Sequence, residues 1–171
     1  MRLLGLDPGL RFTGWGVIEI EGNRLRHVAH GRVAPDQAAP LSERLRLLHD
    51  GLIAIVDLYR PDEAAVEETF LIKNAGSSLK LGHARGVVML VPALRGVPVT
   101  EYATKDVKKS LVGNGAADKA QVMLMVKHLL PGCAVDNEDA SDALAVAICH
   151  GHASSVSRAW ANARVTAGAA R

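Results

Sequence analysis

The chain has 171 residues, 49% of them hydrophobic, with only two Trp, two Tyr and two Phe, so its core is aliphatic. That length fits one domain with a sizeable buried core, and a net charge of +2 is too small to imply a polyanionic partner by itself. Any affinity for nucleic acid must come from a local basic face. A membrane span is excluded as well. The longest apolar stretch, Val87 to Leu94, is broken by Pro92 and falls far short of the roughly 20 residues required. No signal peptide is expected, since Arg2 precedes only a very short apolar run ending in Asp7. Cys133 and Cys149 lack metal-ligand spacing and read as buried thiols in a reducing compartment. The expectation is a soluble, cytoplasmic protein.

Arg2 to Asp7 reads as a short buried strand, followed by a turn at Pro8-Gly9. Thr13 to Ile20 is a second strand, Glu21-Gly22-Asn23 a tight turn, and Arg24 to Ala34 a third strand. Leu41, Leu45, Leu48, Leu52, Ile55 and Val56 then recur at helical spacing until Arg60-Pro61 stops the helix. A strand at Glu63 to Glu67, a loop at Thr69 to Asn74 and a helix from about Ser77 follow. Val97 to Tyr102 is the fifth strand, two helices flank Gly113-Asn114-Gly115, and a last Ala-rich helix runs from about Glu138 to His150. Strands joined through helices run parallel. The pattern predicts an α/β fold: a five-stranded mixed sheet with one antiparallel strand, flanked by helices. Residues 1–151 form the domain, and 152–171 form a flexible tail without apolar periodicity.

Four acids carry the chemistry. Asp7 and Glu67 each end an apolar run, where a carboxylate is costly unless it is paired or holds a metal. Asp7 also fits an ordinary capped turn, or the Asp-x-Gly opening of a phosphate loop. Of Glu67 and Glu68, alternation points one away from the other. Glu67 is the favoured ligand, because parallel central strands place active sites at their carboxyl ends. Asp139 and Asp142, three apart, share a helical face. Helix capping accounts for Asp136 to Asp139 but poorly for Asp142, which lies among Ala140, Ala143, Leu144 and Val146. Four such carboxylates would repel one another without a cation. Mg²⁺ suits them, two ions per site in a phosphodiester hydrolysis, with Mn²⁺ as a substitute.

Phe70 sits in the loop after Glu67, as a base-stacking wedge or as a residue folded back on the core. Lys105, Lys108, Lys109, Lys119 and Lys127 are the densest basic set, read as phosphate clamps or as a solvated face. His150 and His152 read as exposed spectators at a helix end. Gly82 and Gly86 lie on one helix face, for packing either on the chain's own sheet or on a second copy.

Leu6-Asp7-Pro8-Gly9, Thr13-Gly14-Trp15-Gly16, Val66-Glu67-Glu68-Thr69-Phe70, Lys73-Asn74 and Leu79-Lys80-Leu81-Gly82 together resemble the bacterial RuvC Holliday-junction resolvases. So do Lys108-Lys109, Val112-Gly113-Asn114-Gly115, Asp118-Lys119 and Asp139 to Ala145. The resemblance covers Met1 to about His150. It implies a ribonuclease-H-like fold and a homodimer that binds four-way DNA junctions. It also implies Mg²⁺-dependent paired nicks in recombination and repair, beside a branch-migration motor. Catalytic and metal-binding roles carry over to Asp7, Glu67, Asp139 and Asp142. DNA contacts carry over to Phe70, Lys108 and Lys119; Lys73, in the matching Lys73-Asn74 motif, is counted with them, and Lys109 is added from its position. Competing readings are a ribonuclease-H-like RNA-processing nuclease, a non-catalytic junction-binding module, and an actin-like or sugar-kinase ATPase. The ATPase needs a second domain for which 171 residues leave little room.

Overall fold

The computed structural model describes residues 1–68 and 74–168, with side chains as far as residue 154. Elements run β1 (Arg2–Asp7), β2 (Thr13–Glu21), β3 (Arg24–Val33), α1 (Leu41–Tyr59), β4 (Glu63–Glu68), α2 (Ala75–Leu94), β5 (Val99–Ala103), α3 (Thr104–Val112), α4 (Lys119–Leu129) and α5 (Glu138–Gly168). The sheet order is β3-β2-β1-β4-β5. β2 is antiparallel to both its neighbours, whereas β1, β4 and β5 run parallel. This is the mixed five-stranded sheet that the chain order predicts.

Alternation along the strands sorts the core into two layers. Leu4, Leu6, Val17, Ala64 and Val66 face Leu48, Leu52, Val88 and Val91 of α1 and α2. Leu3, Ile18, Ile20 and Ala65 face Val107, Val122, Val126, Leu144 and Ile148 of α3, α4 and α5. The sheet is therefore covered on both sides, and its central strands read as unbroken apolar runs.

Local signals place the helix ends. Arg60 takes a left-handed conformation (φ 47°) and donates its N–H to the Val56 carbonyl, because the residue before Pro61 is barred from continuing the helix. The Asn74 side chain accepts from the amides of Gly76 and Ser77, so α2 begins at Ala75, two residues before the apolar pattern starts. β5 begins at Val99 rather than Val97, since Pro98 has no N–H for the ladder and instead accepts from Ala64. The largest difference is α5, which continues to Gly168 instead of giving way near residue 152. Ala153, Ala159, Ala161 and Ala163 favour helix without any need for apolar periodicity.

α5 lies on β1 and β2 at a distance that only glycine permits. A Cβ on Gly5 would stand 2.0 Å from the Ala143 carbonyl oxygen, and one on Gly14 would stand 1.9 Å from that of Asp139. On the helix side the contact is made by fully buried Ala140, Ala143 and Ala147. Gly5→Ala is accordingly expected to destabilise the protein by about 3 kcal/mol or more, because the α5 backbone at Ala143 and Ala147 blocks the added methyl. Chemical denaturation read by circular dichroism checks this. Unchanged stability would mean that the helix yields freely.

Candidate active site

Register and alternation build the site. Leu3, Gly5 and Asp7 share the α5 face of β1, while Leu4 and Leu6 point the other way. Asp7 pairs with Gly14 across β1 and β2, and Gly14 pairs with Arg32 across β2 and β3. On β4, Ala65 faces α5 and Val66 faces α1 and α2, which turns Glu67 to the α5 side and leaves Glu68 exposed. Asp7, Glu67 and Asp142 line one cavity of about 280 Å³ together with Lys108, Lys119 and Thr104. The turn leading out of Asp7 is fixed by buried Thr13, whose hydroxyl donates to the Gly9 carbonyl at 2.6 Å and accepts from the Gly9 amide at 3.3 Å.

α5 supplies the facing acids. Its first turn is capped by Asn137, which accepts from the Ala140 amide at 3.0 Å, so Asp139 is free of capping duty. Asp139 lies over Gly14, with a carboxylate oxygen 3.8 Å from Arg32. It does not line the cavity, but its charge still acts on Asp7. Lys119, the first residue of α4, pairs with Glu138 at 2.7 Å and with Asp142 at 3.5 Å.

The electrostatics are those of anions gathered without enough countercharge. Asp7 is pushed up from 3.8 to about 8, first by burial and then by the charges of Glu67 and Asp142, with the hydrogen bond that protonated Asp7 donates to Glu67 and the charge of Asp139 adding to it. Asp142 rises to about 6, again through burial first, with Lys119 opposing and Glu67 reinforcing. Among the described residues no three of these acids bring an oxygen within 4.8 Å of one another. They ring a cavity rather than closing on a point. An all-oxygen, multiply anionic and open donor set fits a hard divalent cation that keeps some of its water.

Of the residues singled out from sequence, Asp7, Glu67, Asp142, Lys108 and Lys119 converge, and Asp139 flanks them. Lys109 and Lys105 are exposed on α3 and do not line the cavity, because only Lys108 follows Val107 onto its inner side. Phe70 and Lys73 lie outside the described residues. His150 is no spectator. It is buried, with Nε2 2.7 Å from Glu63 and Nδ1 2.8 Å from the Tyr102 hydroxyl. His152 is half-buried and meets the Ser110 hydroxyl at 3.1 Å. Sequence reasoning missed Arg32, which also stacks over Phe12 at 4.3 Å. The pairing of β3 with Gly14 was its only available signal.

Comparison with known proteins identifies the family. The family model described as crossover junction endodeoxyribonuclease RuvC matches residues 3–150. A protein of that name from Granulibacter bethesdensis is 57% identical over 167 residues, covering 98% of this chain and 94% of that protein. Another, from Paramagnetospirillum magneticum, is 63% identical over 152 residues, 89% of this chain and 92% of that protein. The structure of Thermus thermophilus RuvC in complex with a Holliday junction substrate superimposes with a TM-score of 0.86 at 32% identity, over 92% of this chain and 96% of that one. The ribonuclease-H-like sheet, its acids and these relatives together place the chain in the RuvC family of crossover junction endodeoxyribonucleases.

Proposed function

We propose that this protein resolves four-way DNA junctions in the cytoplasm, as a homodimer, by Mg²⁺-dependent hydrolysis of one phosphodiester in each of two strands of like polarity. The observation that carries the reading is the convergence of Asp7, Glu67 and Asp142 in one cavity with Lys108 and Lys119, in a chain of the RuvC family. Asp7, Glu67, Asp139 and Asp142 would hold the metal, two ions per site, with Mn²⁺ as a substitute. Bound there, Mg²⁺ supplies Lewis-acid polarisation of the phosphate and a nucleophilic water. No covalent intermediate is needed.

The chain's own residues do the holding. Lys108 faces the acids across the cavity and offsets the charge of an incoming phosphate. Lys119, exposed and paired with Glu138 and Asp142, is placed to contact a phosphate oxygen, and that contact must outweigh whatever part of those pairs it gives up. Phe70 and Lys73 would act on the DNA from the loop after Glu67, and Lys109 from the exposed side of α3. Residues 1–151 form the nuclease unit, with the later part of α5 as an appendage. A branch-migration motor is the protein partner that the family resemblance implies. Two buried free thiols agree with a reducing compartment.

The dimer reading rests on α2. Among the described residues, a Cβ on Gly82 or Gly86 would meet nothing within 4 Å, so these glycines do not serve packing on the chain's own sheet. Around them Leu79, Leu90 and Leu94 are 65%, 52% and 61% exposed, and a groove of about 700 Å³ runs along Gly86, Met89, Leu90 and Ala93 to Val97. A patch of this kind marks an interface, and an isologous pair would present two identical sites to a nearly two-fold junction. Gly86→Leu is expected to leave the fold intact and to halve the mass in sedimentation equilibrium. A wild-type monomer that cleaves would defeat the dimer.

Cleavage of a mobile four-way junction beside linear duplex tests the activity itself. Paired symmetric nicks are expected in Mg²⁺. Asp7→Asn should slow them at least a thousandfold, since the several kcal/mol contributed by metal catalysis are lost, while junction binding survives. Binding without cleavage in Mg²⁺ or Mn²⁺ would instead support a junction-binding module.

Asp7 and Asp142 also set a pH dependence. Both hold protons more tightly in the folded state than at the ordinary value of 3.8, so the native protein binds more protons than the unfolded chain between pH 4 and 8. Their contribution is fully present below 3.8 and is lost as pH rises towards about 8. In EDTA, the melting temperature should fall from pH 5 to pH 8. Mg²⁺ should restore it at pH 8 more than at pH 5, and Asp7→Asn should flatten the profile in thermal scans.

A further inference from the structure

Remote from the acids, three other ligand-type side chains meet. His27 and His30 lie on β3, and Cys133 lies in the turn between α4 and α5. One donor atom from each falls within 4.8 Å of the others, the only such trio of His, Cys, Asp or Glu among the described residues. His27 Nε2 is 2.8 Å from His30 Nδ1, and Cys133 Sγ is 3.9 Å from the same His30 nitrogen. Residues three apart on a regular strand point to opposite faces. Here Ile18 pairs with His27 and Val17 with Ala29, so Val28 is an extra, unpaired residue. This β-bulge brings His27 and His30 onto one face.

That face is the α5 side. His27 pairs with Ile18 of the same core layer. His30 pairs with Gly16, whose absent side chain leaves room for Leu144 of α5. Cys133 is brought to the histidines by the Pro131-Gly132 turn, where Gly132 has φ +85° and the Cys133 amide donates to the Leu130 carbonyl at 3.0 Å. Cys133 is buried and both histidines are half-buried.

We propose that His27, His30 and Cys133 form a second metal site, selective for Zn²⁺ or a similar thiophilic divalent ion, with water in the fourth position. Two imidazoles and a thiolate are soft, nitrogen–sulfur donors that the hard ion of the carboxylate site does not favour. Tetrahedral Zn²⁺, at roughly 2.0–2.1 Å from nitrogen and 2.3 Å from sulfur, holds such atoms about 3.3–3.6 Å apart. The observed 2.8 and 3.9 Å bracket that spacing, so small side-chain rotations suffice. Burial and the neighbouring His30 lower the His27 pKa, which keeps its ring neutral for ligation. Burial pushes the Cys133 thiol up, with Lys127 opposing, so metal binding must release the thiol proton to solvent. The site would tie edge strand β3 to the segment that leads into α5. Arg32, two residues beyond His30, already touches Asp139 there.

The test is Co²⁺ titration of the reduced, full-length chain with Mg²⁺ in excess, read by absorption. At one equivalent, tetrahedral d–d bands and a thiolate-to-cobalt charge-transfer band are expected, both erased by Zn²⁺. Cys133→Ser should abolish the charge-transfer band, while Cys149→Ser and Asp7→Asn leave it unchanged, since carboxylates produce no sulfur band. His27→Gln, on the half-exposed edge strand, should weaken Co²⁺ affinity at least tenfold, and it carries the test if Cys133→Ser does not fold. No charge-transfer band, or one that survives Cys133→Ser, would overturn the site and leave an imidazole pair hydrogen-bonded beside a thiol. Unchanged affinity in His27→Gln would do the same.

Discussion

The close approach of α5 to the sheet is the constraint on which the rest of this structure depends. Asp7 and Glu67 are delivered by strands, whereas Asp139 and Asp142 are delivered by a helix that crosses above them. Their meeting requires the helix backbone to lie almost against the strand backbone. Gly5 and Gly14 below, and Ala140, Ala143 and Ala147 above, remove every side chain that would hold the layers apart. The apolar contacts that repay this arrangement lie further along the same helix, where Leu144 and Ile148 are fully buried. Packing in the turns that follow therefore holds the charge at the start of α5.

The charge at that other end works against the fold. Desolvating carboxylates beside one another raises their proton affinity, and the rise of Asp7 to about 8 is the expression of that cost. Lys119 offsets only part of it, because it is exposed and shared between Glu138 and Asp142. A cation that bound only the folded state would relieve that cost and stabilise the fold by linkage. Lys108 and Lys119 line the same cavity as the acids, and Lys119 offsets part of the charge of Asp142.

Much of this was legible in the sequence because it depends on period. The βββ-α-β-α-β-α-α-α order and the antiparallel β2 follow from alternation and connection length, and Glu67 is preferred to Glu68 because its strand is central and parallel. The i,i+3 spacing of Asp139 and Asp142 was equally plain, although Asn137 rather than the acids caps α5. What escaped depends on long-range register. Arg32 reaches Asp139 only because β3 pairs with Gly14, and nothing local marks it. His150 looked exposed because α5 was expected to end there. In the longer helix it is interior, and Glu63 and Tyr102 satisfy its ring. Cys133 has no ligand spacing along the chain, since its neighbours in space are more than a hundred residues earlier.

Edge strand β3 links these two observations. An edge strand has a ladder partner on one side only and is the element most prone to fray or to pair wrongly. The bulge at Val28 interrupts its regular hydrogen-bonding edge, which discourages pairing with another chain, but it also removes a ladder contact to β2. The side chains that the bulge re-aims supply contacts in place of the lost one. His27 and His30 turn towards Cys133, and further along the strand Arg32 turns towards Asp139. Both contacts reach the segment that begins α5. The strand with the least support in the sheet is thus anchored to the helix that carries half of the acids, and any loosening of β3 would be felt first at Asp139.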